Sequence, residues 1–161
     1  MQSLSRKDAN GISAAIHAAS TSDLINFQLG ACLVVQRSLI RGSANTRSKA
    51  GQNVLSSIHA EMDAILRAKL RKPQRRNSCM YVVRVSKKSG KLGNAKPCNH
   101  CVLVMRYCGV KFCCWSTGNP DVPFRKSKVD ALELDFLSKT QVKFGKIHRH
   151  RTFLVQSFII T

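Results

Sequence analysis

Residues 97–117, PCNHCVLVMRYCGVKFCCWST, contain the breaks on which the fold turns. Pro97 suits the entrance of a helix, where its missing N–H is no loss, and Gly109 suits the residue just past a helix end. Between them Val102, Val104 and Met105 offer packing groups. From Val110 the pattern changes to VKFCCWST, a short apolar run that predicts a strand. Downstream, only GNPD (118–121) separates this strand from VPFRKSKV (122–129). A parallel return needs a crossover of roughly 10 residues or more, so a strand over 122–129 must pair antiparallel.

Upstream, CMYVVRV from Cys79 reads as a buried strand, and SKKSGKLGNAK (86–96) as a basic, glycine-containing loop. IHAEMDAILRAKLR (58–71) predicts a helix with Ile58, Met62, Ile65 and Leu66 on one side, Ser56 and Ser57 placed to cap it, and Pro73 closing it. The polar stretch 43–57 before it reads as a loop. FQLGACLVVQRSLIRG (27–42) is two apolar runs around Gln36-Arg37, a β-hairpin pattern. SRKDANGISAAIHAAS (5–20) sets Ile12, Ala15, Ile16 and Ala19 at helical spacing despite Gly11, and His17 reads as a packing histidine beside that face. DALELDFLSK (130–139) predicts a short helix, and RTFLVQSFII (151–160) a strand or a docking segment. Helices and strands alternate after the opening hairpin, which argues for an α/β sandwich.

At 161 residues, 43% of them hydrophobic and 22% charged, the chain is expected to form one globular domain. We expect a core over residues 27–117 and a C-terminal extension over 118–161. No window approaches the roughly 18 apolar residues of a membrane span, and the N-terminus lacks the apolar core of a signal peptide. Seven cysteines is an odd count for a disulfide framework. Reduced thiols and an intracellular location are therefore expected. Lys and Arg number 27 against 8 Asp and Glu, a net charge of +19. Such an excess suits contact with polyanions, including nucleic acid, through phosphate neutralisation.

The chemistry concentrates in two stretches. Cys98 and Cys101 are three apart, on one face of the first turn of a helix, and can chelate one ion together. The helix dipole favours the thiolate form of both. His59 and Glu61 are two apart and do not share a helix face. They can share a site only end-on, at a helix N-terminus. One imidazole and two thiolates form a soft, zinc-favouring set with a fourth position open for water. Zinc lowers the pKa of such a water towards neutrality, and Glu61, free of the metal, can move its proton to a leaving nitrogen. Cys98 and Cys101 also fit a four-ligand structural zinc with Cys113 or Cys114, or a redox pair, but neither accounts for Pro97, His59 and Glu61. Cys32, Cys108 and Trp115 read as core.

His59-Ala60-Glu61 followed by Pro97-Cys98-Asn99-His100-Cys101 resembles the cytidine and deoxycytidylate deaminase superfamily, whose signature is His-x-Glu with Pro-Cys-x-x-Cys. The likeness is greatest to the compact members of some large DNA viruses and eukaryotes, and runs from about Phe27 to Ser116. It implies a three-layer α-β-α sandwich with a mixed five-stranded sheet, its last strand antiparallel. It further implies a Zn2+ cofactor held by His59, Cys98 and Cys101, with Glu61 catalytic. The backbone of Ala60 and the carbonyl of Pro97 would hold the base edge, and Asn45 the sugar. Members commonly assemble as dimers or tetramers, so a homo-oligomer is expected.

The substrate expected is a small cytosine nucleoside or nucleotide: cytidine, deoxycytidine, CMP or dCMP. Arg47, Lys49 or the Lys87–Lys96 loop could receive a phosphate. An antiparallel last strand is the arrangement the resemblance assigns to free-nucleoside deaminases, whereas editors of tRNA and polynucleotides usually carry an intervening helix. Two alternatives use the basic surface: an editor of single-stranded nucleic acid or tRNA, or a basic, virion-associated packaging protein with little turnover. The run RAKLRKPQRR (67–76) would serve either, although 6% aromatic residues offer few stacking platforms.

Overall fold

The computed structural model describes residues 4–24, 28–36, 38–39, 42–47, 57–68 and 77–135. The first helix, α1 (Arg6–Ser20), is opened by a capping box: Ser5 Oγ accepts from the Asp8 N–H at 3.2 Å, and the Asp8 carboxylate accepts from the Ser5 N–H at 3.1 Å. Strand β1 (Gln28–Val35) turns through Gln36 into β2 (Ser38–Leu39), the expected hairpin. The tight turn needs a residue with positive φ, and Gln36 takes it at φ 54°. Short strands β3 (Ser43–Ala44), β4 (Thr46–Arg47) and β5 (Ser57–Ile58) precede α2 (Ala60–Ala68). Strands β6 (Ser78–Val85) and β7 (Leu92–Gly93) lead to α3 (Asn99–Tyr107), then to β8 (Phe112–Ser116) and β9 (Phe124–Lys128).

The main sheet runs β2-β1-β6-β8-β9, with β3 and β7 as short additions on β1 and β6. Among the described strands only β6 and β8 are parallel, joined through the crossover that carries α3. Strand β9 pairs antiparallel with β8, from Phe112↔Lys128 to Ser116↔Phe124, as the short GNPD connection requires.

Because side chains alternate across a strand, each central strand feeds two cores. Ala31, Leu33, Val35, Met80, Val82, Cys113 and Trp115 face one side, where Ala60 and Ala64 of α2 and Val102 and Met105 of α3 cover them. Cys32, Val34, Cys79, Tyr81, Val83 and Cys114 face the other, against Ile12, Ala15 and Ala19 of α1. The result is the expected α-β-α sandwich around a mixed five-strand path. Helix α1 lies very close to β1. A Cβ at Gly30 would come within 2.0 Å of the Ala15 carbonyl oxygen and 2.4 Å of the Ala19 nitrogen.

Several local expectations change. Helix α2 starts at Ala60 rather than Ile58, and Ser57 lies in β5, paired with Arg47, instead of capping the helix. Its sheet-facing side is Ala60 and Ala64, while Leu66 is 56% exposed and Ile58 is also exposed. Small residues let the helix approach the sheet, so Leu66 turns outward while Ile65 of the expected face still packs, partly buried, against the core. On α1, Ile16 is exposed and Ala18 is buried in its place, and His17 is exposed rather than packed. Residues 129–131 form a single 3-10 turn and Leu132–Asp135 no regular structure, so no helix starts at Asp130. Cys32 and Trp115 are buried as expected, whereas Cys108 is only partly buried. Ser56, Lys49, Pro73 and the expected terminal segment 151–160 lie outside the described residues. Among the described residues, no helix is long and apolar enough to cross a membrane.

Candidate metal centre and active site

Two helix N-termini meet at the site. The His59 carbonyl accepts the first helical hydrogen bond of α2 from Asp63 N–H at 3.1 Å, which puts His59 at the N-cap. Cys98 is the N-cap of α3, and its carbonyl accepts from Val102 N–H at 3.0 Å. The ligands therefore stand at the positive ends of two helix dipoles, where anionic sulfur is favoured.

His59 Nδ1 lies 3.2 Å from Cys101 Sγ and 3.5 Å from Cys98 Sγ. The three ligand atoms lie within 4.8 Å of one another, the one His/Cys/Asp/Glu group of this kind among the described residues. Zn–N and Zn–S bonds of about 2.0 and 2.3 Å at tetrahedral angles would put N and S roughly 3.5 Å apart, so the donor set fits zinc. Cys113 and Cys114 point into opposite cores and do not join this group, so no four-ligand structural site assembles here.

The charges within the group are unequal. The Cys101 thiol donates to Cys98, which holds Cys98 down to about 4. Donating to Cys98, together with burial, pushes Cys101 well above the usual thiol range. Without metal the proton shared in this hydrogen bond thus favours Cys101, and the thiolate favours Cys98. The hydrogen bond with Cys98 raises His59. Glu61 is 3% exposed, and desolvation pushes its carboxyl up against the pull of His59. It also lies within hydrogen-bonding reach of the Cys101 thiol.

The turn that carries Pro97 and Cys98 is held from both sides. On one side, Ser116 Oγ donates to the Gly93 carbonyl at 2.7 Å and accepts from Arg84 N–H at 3.2 Å, while the Ser116 carbonyl accepts from Ala95 N–H at 2.8 Å. On the other, the chain after β9 crosses α3 as a strap. Arg106 donates to the carbonyls of Val129, Asp130 and Leu132 at 3.3, 3.1 and 2.6 Å. Further along, Asn99 Nδ2 donates to the Leu134 carbonyl at 3.2 Å, and both Asp135 oxygens accept from Lys96 Nζ at 2.8 Å. No sequence signal points to Ser116, Arg106 or Asp135, because their partners lie 20 to 40 residues away and carry no motif.

Ala60 is fully buried at the first turn of α2, and Pro97 is buried beside Cys98. Asn45 is 5% exposed. Its Oδ1 accepts from Ser22 Oγ at 2.7 Å and Leu29 N–H at 2.8 Å, which fixes the orientation of its amide. Asn45 precedes Thr46, which pairs with Ile58 next to His59, so the β4–β5 ladder ties it to the metal centre along the chain. Of the residues expected to meet a phosphate, Lys96 is engaged by Asp135 in an exposed ion pair. Lys49 and the side chain of Arg47 lie outside the described residues.

Residues 5–117 match the family model "Cytidine and deoxycytidylate deaminase zinc-binding region". Among solved structures, the chain is similar to the cytidine deaminase of Burkholderia pseudomallei, with 22% identity and a TM-score of 0.57 over 80% of this chain and 98% of that one. It is also similar to the apo dCMP deaminase of the cyanophage S-TIM5, with 18% identity and a TM-score of 0.52 over 68% of this chain and 81% of that one. At these identities the likeness is one of fold. No curated protein sequence matched. With a zinc-favouring His-Cys-Cys group, a buried glutamate beside it and a family match over most of its length, the chain belongs to the cytidine and deoxycytidylate deaminase family.

Proposed function

We propose that the protein deaminates a cytosine nucleoside or nucleotide hydrolytically: water adds at C4 of the base, ammonia leaves, and the uracil product remains. The observation that carries this reading is the convergence of His59, Cys98 and Cys101 beside the buried Glu61. His59 Nδ1 and the two sulfurs would hold zinc, whose Lewis acidity makes hydroxide available near neutral pH.

The residues of the chain do the rest. Glu61 accepts a proton from the attacking water and delivers it to the departing nitrogen. Desolvation raises its carboxyl above the ordinary value, which favours its picking up the proton that it then passes on. The Ala60 backbone and the Pro97 carbonyl hold the base edge, and Asn45 contacts the sugar. The antiparallel β8–β9 pairing supports a free nucleoside or nucleotide as substrate over a polynucleotide. The basic run on which the nucleic-acid alternatives rest lies, beyond Ala68, outside the described residues. Leu66 on α2 and Leu103 and Tyr107 on α3 are exposed on the outside of the helical layer, which supports a homo-oligomer.

The test is ammonia release by zinc-loaded protein from cytidine, deoxycytidine, CMP and dCMP, with Glu61→Ala as control. Turnover of at least one monomer, lost in the control, is expected. A zinc-loaded protein inert on all four overturns the reading.

A further inference from the structure

A cavity of about 450 Å3 opens at the corner of the sheet opposite the metal centre. Its walls include Lys7 of α1, Gln36 of the β1–β2 turn, Ser78 and Cys79 at the start of β6, and Phe112 and Lys126 of β8 and β9. Cys79 belongs to the α1-facing core, whereas the metal ligands stand at the α2 and α3 N-termini on the other face. Strand β6 begins at this cavity and leads away from it towards the loop that ends in Pro97. A molecule bound here is therefore separate from the deaminase substrate. The volume lies within the roughly 300–1,000 Å3 typical of small-molecule sites.

The electrostatics of the cavity favour an anion. Lys126 Nζ is 2.6 Å from Asp8 Oδ1, and Tyr81 donates its hydroxyl proton to the same oxygen at 2.7 Å. Asp8 stands behind the wall, 4% exposed, and offsets one lysine. Lys7 donates to the Gln36 carbonyl and has no carboxylate partner among the described residues. Two ammonium groups against one carboxylate leave a net positive wall. Beside the ammonium groups, the Phe112 ring has its centroid 5.8 Å from Lys126 Nζ and supplies an apolar surface.

We infer that this cavity binds a small phosphomonoester, its anionic group between Lys7 and Lys126 and its apolar body against Phe112. This does not depend on the deaminase reading. Nuclear magnetic resonance titration of the zinc-loaded full chain at low ionic strength tests it, with phenyl phosphate in one arm and inorganic phosphate in the other. Saturable shifts at the amides of Gln36, Asn77 and Ser78 are expected, with phenyl phosphate at least 3-fold tighter. Lys7→Gln should weaken binding at least 5-fold. Arg125→Gln, which removes the same charge from the opposite, exposed face of β9, should leave it unchanged. Shifts that do not saturate, shifts spread over the basic surface, equal affinity for the two ligands, or equal losses in the two variants each overturn the proposal.

Discussion

His59 and Cys98 occupy matching positions, each the N-cap of its own helix, with Nδ1 and Sγ 3.5 Å apart although 39 residues separate them. Each helix contributes its positive end to the same point, so a site rich in thiolate forms where the backbone already favours negative charge. This explains how a His-Cys-Cys group able to hold a metal ion forms inside an otherwise apolar sandwich.

Replacing any one ligand should remove the metal. For His59→Ala, Cys98→Ser and Cys101→Ser, metal analysis after dialysis should fall from one zinc per chain to near none. Glu61→Gln should keep its zinc and lose turnover by a factor on the order of 10²–10⁴, the range of general acid–base catalysis. A Glu61→Gln protein that had lost its zinc would show that the carboxylate supports the metal rather than the proton transfer.

The strap should influence the metal from outside. Arg106→Ala frees three backbone carbonyls and loosens the chain that braces the Pro97-Cys98 turn. Outer partners of metal ligands typically contribute about 10–100-fold in affinity, and Arg106→Ala should fall near the lower end of that range. Asp135→Asn breaks an exposed ion pair and should have a smaller effect, about 2-fold. Competition with a chelator measures both. Wild-type zinc affinity in a folded Arg106→Ala protein would assign the strap to stability alone.

The Asp8 cluster makes stability depend on acid. Burial pushes the carboxyl up, but hydrogen bonds from Lys126, Tyr81 and Ser5 outweigh it and hold Asp8 at about 2, below its ordinary 3.8. A depressed folded-state value means that the stabilisation is present above pH 4 and is lost as pH falls through 2. The difference corresponds to about 2 kcal/mol. Asp8→Asn should lower stability by a similar amount at pH 7 and flatten the acid limb of a denaturant-midpoint profile. An unchanged acid limb would move that dependence to other carboxylates.

Gly30→Ala should destabilise severely. The new methyl would meet backbone atoms of α1 at 2.0 and 2.4 Å, and backbone cannot rotate aside as a side chain can. The helix must lift off the sheet, at about 3 kcal/mol or more. Thermal unfolding measures this, and a loss under 1 kcal/mol would mean that α1 shifts easily.

The sequence alone determined the order of the longer helices and strands, the hairpin, the antiparallel last strand and the two motifs that bring His59, Cys98 and Cys101 together. These depend on local chemistry: Pro97 and Gly109 act on their own backbone, the length of GNPD limits how the chain can return, and metal ligands must be particular side chains at particular spacings. Only the tertiary structure decided the buried faces of the helices. Ala60 and Ala64 lie inward and Leu66 outward because close approach to the sheet selects small residues over hydrophobic ones, which periodicity does not reveal. It also decided that Cys98 is held low and Cys101 high, the bracing of the Pro97-Cys98 turn by Ser116 and Arg106, and the Asp8–Lys126 corner. Each of these joins groups distant in the chain through hydrogen bonds and desolvation, and such interactions exist only once the chain has folded.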